Sequence, residues 1–104
     1  MGTLIRVVDL CGPFCASPED GKKIYDSVFD KLKNMETTTL DFSEVKITST
    51  SFFNVALGEL YRGFSPDFLN CRLKIINLPP GGKSAITHSL NASKINYQSE
   101  ISLV

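Results

Sequence analysis

Three cysteines, a single histidine and a Gly-Gly-Lys-Ser stretch are the residues of this 104-residue chain whose chemistry needs testing first. Cys11 and Cys15 could open a zinc site, but only Cys71 and His88 are left to complete it, and neither stands at a finger spacing. An odd number of thiols also argues against a disulfide framework, so the cysteines read as buried or idle thiols in a reducing cytoplasm. As an acid/base or as the partner of a nucleophile, His88 would need a cysteine or serine far away in sequence, and the spacing selects none. It reads as a surface or capping histidine. The acids Glu19, Asp20, Asp41, Glu44, Glu59 and Asp67 form no pair that sequence certifies and read as caps and solvated faces. No catalytic constellation emerges, and the chain is expected to be non-enzymatic, with no cofactor and no metal.

The segment from Asn77 to Ser84 has a strand leading into Gly-Lys-Ser and then a helix, the setting of a phosphate-binding loop. Such a loop needs glycine where Asn77 stands. It also wraps phosphate in backbone N–H groups, and Pro79 and Pro80 have none to give. A tight turn followed by a helix cap is the plainer reading. A small-ligand or nucleotide site on Gly81, Gly82, Lys83 and Ser84 is the alternative, which nucleotide-dependent thermal stability would reveal.

The densest polar constellation is the run Thr48, Ser49, Thr50, Ser51. It follows the strand-like Leu40-Asp41-Phe42 and the loop from Ser43 to Ile47, and it precedes the apolar Phe52 and Phe53. Hydroxyls at that place supply a helix N-cap, a contribution of about 1 kcal/mol. They also put modifiable groups at a junction that a second macromolecule could read.

The elements that must hold this run in place follow from hydropathy. Leu4 to Leu10 reads as a strand covered on both faces, ended by Cys11-Gly12-Pro13-Phe14. Ser17, Pro18, Glu19 and Asp20 form an N-cap, a first-turn proline and acids at the positive end of a helix. Its stripe is Ile24, Val28 and Leu32, with Tyr25 and Phe29 alongside, and Gly21 is expected to weaken its first turn slightly. Thr37 to Phe42 is a strand with Leu40 and Phe42 on one face. From Ser51 to about Gly63 a second helix is expected, with Phe53, Ala56, Leu57, Leu60 and Phe64 as its stripe, widened by Phe52, Val55 and Tyr61. Cys71 to Leu78 reads as a strand, Ser84 to Asn91 as a weaker helix, and Ile101 to Val104 as a last short strand or a frayed end. The expectation is an α/β domain over residues 1–104, in the order β-α-β-α-β-α, with a mixed, largely parallel sheet covered by helices.

Composition narrows the function classes. Eleven basic residues balance eleven acidic ones, and no stretch concentrates positive charge, so nucleic acid is not the expected partner. Apolar residues make up 42% of the chain, enough for one core, yet no run approaches a membrane span or a signal peptide. A soluble, intracellular domain is expected, and zero formal net charge makes association with a protein or with a second copy physically easy.

The pattern Asp41-Phe42-Ser43-x-Val45-x-Ile47, followed by the hydroxyl run, resembles the signature of STAS domains, the fold of bacterial anti-sigma-factor antagonists. It is more similar still to the STAS-like family of unknown function, with its Thr-Ser-x-Phe type of motif before the helix. The likeness is clearest over residues 37–64. In the antagonists an Asp-Ser-Ser-Gly run stands where this chain has Ser49-Thr50-Ser51-Phe52, and its first serine is phosphorylated by a kinase-like partner. By that resemblance Thr50 takes the phosphoacceptor position, with Ser51 and Ser49 beside it, although Ser49 replaces the aspartate and Phe52 the glycine. The resemblance implies a regulatory protein–protein interaction module whose partner is a histidine-kinase-like ATPase. Loop 46–51, with Lys46 and Thr48, would meet that partner, and Phe52 or Val55 would anchor it where exposed. A homodimer held by the broad apolar helix is a further reading.

Overall fold

The computed structural model describes residues 2–92 and 102–103. Four strands form an all-parallel sheet in the order β1-β3-β5-β6: β1 (Gly2–Arg6), β3 (Thr37–Asp41), β5 (Leu73–Ile76) and β6 (Ser102–Leu103). A separate two-stranded parallel ribbon pairs β2 (Phe14–Cys15) with β4 (Ile47–Thr48). The helices are α1 (Val7–Cys11), α2 (Pro18–Lys33), α3 (Thr50–Ala56), α4 (Leu60–Gly63), α5 (Pro66–Arg72) and α6 (Gly82–Ala92).

The register aligns Ile5, Leu40 and Ile75 in one row across the sheet and Thr3, Thr38 and Leu73 in another. These rows point to the same side, because alternate residues of a strand share a face. Leu40, Ile75, Thr38 and Leu73 are buried there, whereas Leu4 and Lys74 on the opposite face are exposed. The sheet therefore has one apolar face, matched by the alternation in Thr37-Thr38-Thr39-Leu40. Beneath that face the core gathers Ile24, Val28 and Leu32 from α2, Phe52, Phe53 and Ala56 from α3, Leu69 from α5, and Ile86 and Leu90 from α6.

Helix α2 starts and stops as its sequence dictates. Ser17 Oγ accepts from the Asp20 N–H at 3.2 Å, Pro18 fills the first helical position, and Lys31 and Lys33 sit at the negative end. Gly21 does more than weaken this first turn. A Cβ there would lie 2.5 Å from the Phe52 carbonyl oxygen and 3.0 Å from Val55 Cβ, so its missing side chain is what lets α2 and α3 cross in contact. On its far flank α2 joins an aromatic row, Tyr25 to Phe29 to Phe64 to Phe68, with neighbouring ring centroids 5.6, 5.6 and 5.1 Å apart.

Four sequence expectations are corrected here. The first strand stops at Arg6, and Val7–Cys11 turns into helix; β1 is an edge strand whose Leu4 is 57% exposed, so it is not covered on both faces. The expected helix from Ser51 to Gly63 is two helices: α3 ends at Ala56, where the Leu57 and Gly58 N–H groups both bond the Phe53 carbonyl, and α4 begins at Leu60. Cys71 belongs to helix α5, which Ser65 caps by accepting from the Phe68 N–H at 3.2 Å and Pro66 opens; the strand begins only at Leu73. Finally, Phe14 and Ile47, both read as loop, lie in the paired strands β2 and β4.

Candidate functional site

The motif residues of the β3–β4 connection are structural. Asp41 Oδ1 accepts from the Ser43 N–H at 2.9 Å, the Ser43 hydroxyl at 2.7 Å and Asn77 Nδ2 at 3.0 Å. These bonds, that from Asn77 first, hold the Asp41 carboxyl below its ordinary pKa, with the Arg6 charge adding a little. Phe42 and Val45 turn inward to the core. Between them Glu44 takes a left-handed φ of 68° and pairs its carboxylate with Arg6 at 2.7 Å. The pattern thus builds a tight exit from β3 at the carboxyl end of the sheet and delivers the chain to β4.

Residues 46–49 then hang on residues 13–16. Lys46 and Ile47 donate their N–H groups to the Pro13 carbonyl at 2.8 and 3.3 Å, and the Ser49 N–H donates to the Cys15 carbonyl at 3.2 Å. Phe14 pairs with Ile47, and Cys15 with Thr48. Because paired residues in parallel strands share a side, the Phe14 and Ile47 side chains are neighbours. They are 56% and 52% exposed, among the largest apolar groups the described residues leave in solvent.

The hydroxyl run divides by role. Ser49 is the N-cap of α3: its Oγ accepts from the Phe52 N–H at 3.1 Å and donates to the Ala16 carbonyl at 2.8 Å. Both functions of that hydroxyl are engaged, which sets Ser49 apart from the other two phosphoacceptor candidates. Thr50 opens the helix half-buried, and Ser51 follows exposed. Lys46 is exposed and Thr48 half-buried on the ribbon just before them. Phe52, expected as an anchor where exposed, is wholly buried and packs edge-on against Phe42 and Phe53, while Val55 is only partly covered. The helical period of residues 52–60 therefore marked core, and Phe53, Ala56, Leu57 and Leu60 are equally buried. This segment leaves no broad apolar face for a second copy.

Elsewhere the candidates stay dispersed. Pro79, Pro80 and Gly81 form a turn in which the Gly82 N–H bonds the Pro79 carbonyl at 2.9 Å. The hollow of about 390 Å³ beside it is lined by Leu78, Pro79, Pro80, Gly81, Lys83 and Ser84. Two prolines and one internally bonded N–H leave this turn few donors for a phosphate. His88 is exposed on α6, and among the described residues no three histidines, cysteines or acids come together as metal ligands. Among those residues, too, no helix is long and apolar enough to cross a membrane. Phe14 was the residue that sequence reasoning passed over: an aromatic between a Gly-Pro turn and a cysteine carries no periodicity, and only its pairing with Ile47 defines the patch.

Residues 20–83, from the first turn of α2 to the first turn of α6, match the family model described as the STAS-like domain of unknown function. The chain belongs to that family, and its parallel sheet with helices packed beneath agrees with the STAS-like α/β architecture. Searches of curated proteins and of solved structures found no match.

Proposed function

We propose that this chain is a non-enzymatic regulatory module that docks onto a protein partner through the β2–β4 ribbon and the hydroxyl run at the head of α3. The observation that carries this reading is the Phe14–Ile47 pair. Two large apolar side chains stand side by side in solvent, edged by Lys46 and Thr48 and followed at once by Thr50 and Ser51. An apolar centre within a polar rim is the usual anatomy of a protein-binding patch. The STAS resemblance supplies the partner class, a histidine-kinase-like ATPase domain. Thr50 holds the position at which the antagonists are phosphorylated, and Ser51 is the more accessible hydroxyl next to it. A phosphate on either would place a charge of about −1.5 to −2 beside the apolar pair and change what can dock there.

The test is a double substitution, Phe14→Ser with Ile47→Ser. It is expected to leave the thermal unfolding transition nearly in place and to weaken binding to the ATPase-domain partner at least tenfold, about 1.4 kcal/mol. Undiminished affinity in a folded double variant overturns the surface. If the hydroxyls act as a switch, Thr50→Glu or Ser51→Glu also lowers affinity, whereas Thr50→Ala and Ser51→Ala do not.

A further inference from the structure

Cys11 ends α1 and Cys15 lies in β2, with a reversal at Gly12 and Pro13 between them; Gly12 has a φ of 76°, open to glycine and strained for other residues. The reversal brings the two side chains together above the first turn of α2. The Cys15 thiol donates to the Gly12 carbonyl at 3.7 Å and neighbours the Cys11 sulfur closely enough for each to perturb the other's ionisation. Cys11 Sγ sits 3.4 Å from the Asp20 carbonyl. Cys15 is fully buried and Cys11 half-buried. One thiol that solvent reaches is thus backed by a second that it does not.

That asymmetry assigns roles. The hydrogen bond from Cys15 holds the Cys11 pKa below the ordinary thiol value, with Lys23 assisting, against burial and the Asp20 charge. The same bond, then burial, pushes the Cys15 pKa up. Cys11 is the better thiolate, and Cys15 keeps its proton until a leaving group can take it.

We propose that Cys11 and Cys15 form a reversible disulfide, a modification site that takes a peroxide as its oxidant. The Cys11 thiolate attacks one peroxide oxygen and breaks the O–O bond, giving Cys11 sulfenic acid and hydroxide, which is protonated to water. The Cys15 sulfur then attacks the Cys11 sulfur and displaces hydroxide, which leaves with the Cys15 proton as a second water. Two thiols are oxidised and one peroxide is reduced. The bond joins Cys15 to the end of α1, and Cys15 is the residue whose carbonyl receives the Ser49 N–H, next to the Ala16 carbonyl that receives the Ser49 hydroxyl. Oxidation therefore acts on the strand that holds the hydroxyl run. The inference needs no docking partner and stands apart from the docking reading.

The full chain, reduced and then exposed to hydrogen peroxide, is alkylated and digested with trypsin. Cleavage after Arg6 and Lys22 leaves both thiols in one peptide and Cys71 in another. The first peptide is expected to weigh two hydrogens less and to resist alkylation until a thiol reductant is added. Cys71→Ser retains this product, and Cys11→Ser and Cys15→Ser each abolish it. Cys11, only half-buried, keeps the test usable should Cys15→Ser fold poorly. Amide exchange over residues 46–52 should differ severalfold between the two redox forms. Free alkylation of both thiols after peroxide, or Cys11 driven to sulfinic acid without a disulfide, overturns the site; unchanged exchange in the disulfide form overturns its coupling to the hydroxyl run.

Discussion

Three side chains carry predictions of their own. The Ser49 hydroxyl accepts the Phe52 N–H and donates to the Ala16 carbonyl, so Ser49→Ala removes a helix cap and a link to residue 16 together. A loss of about 1–2 kcal/mol in urea unfolding is expected, and an unchanged midpoint would contradict the capping role. Thr38 presents the opposite case: its Oγ1 is buried with no hydrogen-bond partner among the described residues. Thr38→Val keeps the shape and removes that hydroxyl, so unfolding should be unchanged or harder by about 1 kcal/mol. Asp41 sets an acid dependence. Its folded pKa is depressed by Asn77 and Ser43, so its contribution to stability is complete above the ordinary aspartate value of about 3.9 and is lost as pH falls through the lower folded value. Acidification from about pH 6 to pH 3 should therefore cost the wild type more stability than it costs Asp41→Asn. The cap was legible in the sequence, because a serine before an apolar helix can do little else; the Asp41 bond to Asn77 was not, since it joins residues 36 positions apart.

At the scale of elements, local signals located α2 almost to the residue, because cap, proline, first-turn acids and a single apolar stripe all agree. They failed where two rules competed. The apolar period from Phe52 to Phe64 is continuous, yet Gly58 interrupts the backbone, and periodicity alone cannot tell one helix from two that share a core. Between Ser65 and Leu73 the alternation of Cys71, Leu73 and Ile75 imitated a strand, while the serine and proline at residues 65 and 66 marked the true start of α5. Gly21 shows the same limit, because its role lies in α3. On propensity alone Gly21→Ala should stabilise α2 by up to about 1 kcal/mol. The contact with the Phe52 carbonyl reverses that sign, and a net destabilisation of about 1–3 kcal/mol is expected from denaturant titration. A stabilised variant would show that α2 and α3 do not approach as closely as described.

Over the whole molecule, the fold class and most of the core were readable from the alternation of strand and helix patterns, and residues 20–83 carry the family. The proposed docking patch was only half readable. Its hydroxyl run stood out in sequence, but its apolar centre comes from two segments, residues 13–15 and 46–48, that pair across more than thirty positions. The greasy helix that looked available to a partner turned out to be filled by this chain's own packing, and the large apolar groups left exposed among the described residues are Phe14 and Ile47 on the ribbon, Leu4 in β1, Leu10 in α1 and Met35 just before β3. This contrast permits a direct test. A photo-cross-linking amino acid is placed at Ile47 in one form of the protein and at Leu4 in another, two sites of nearly equal exposure at 52% and 57%. After irradiation in the native host, the Ile47 form should yield one discrete adduct, identified by mass spectrometry as an ATPase-domain protein, and the Leu4 form should not. An adduct from Leu4 alone, or none from Ile47, would contradict the proposed docking face.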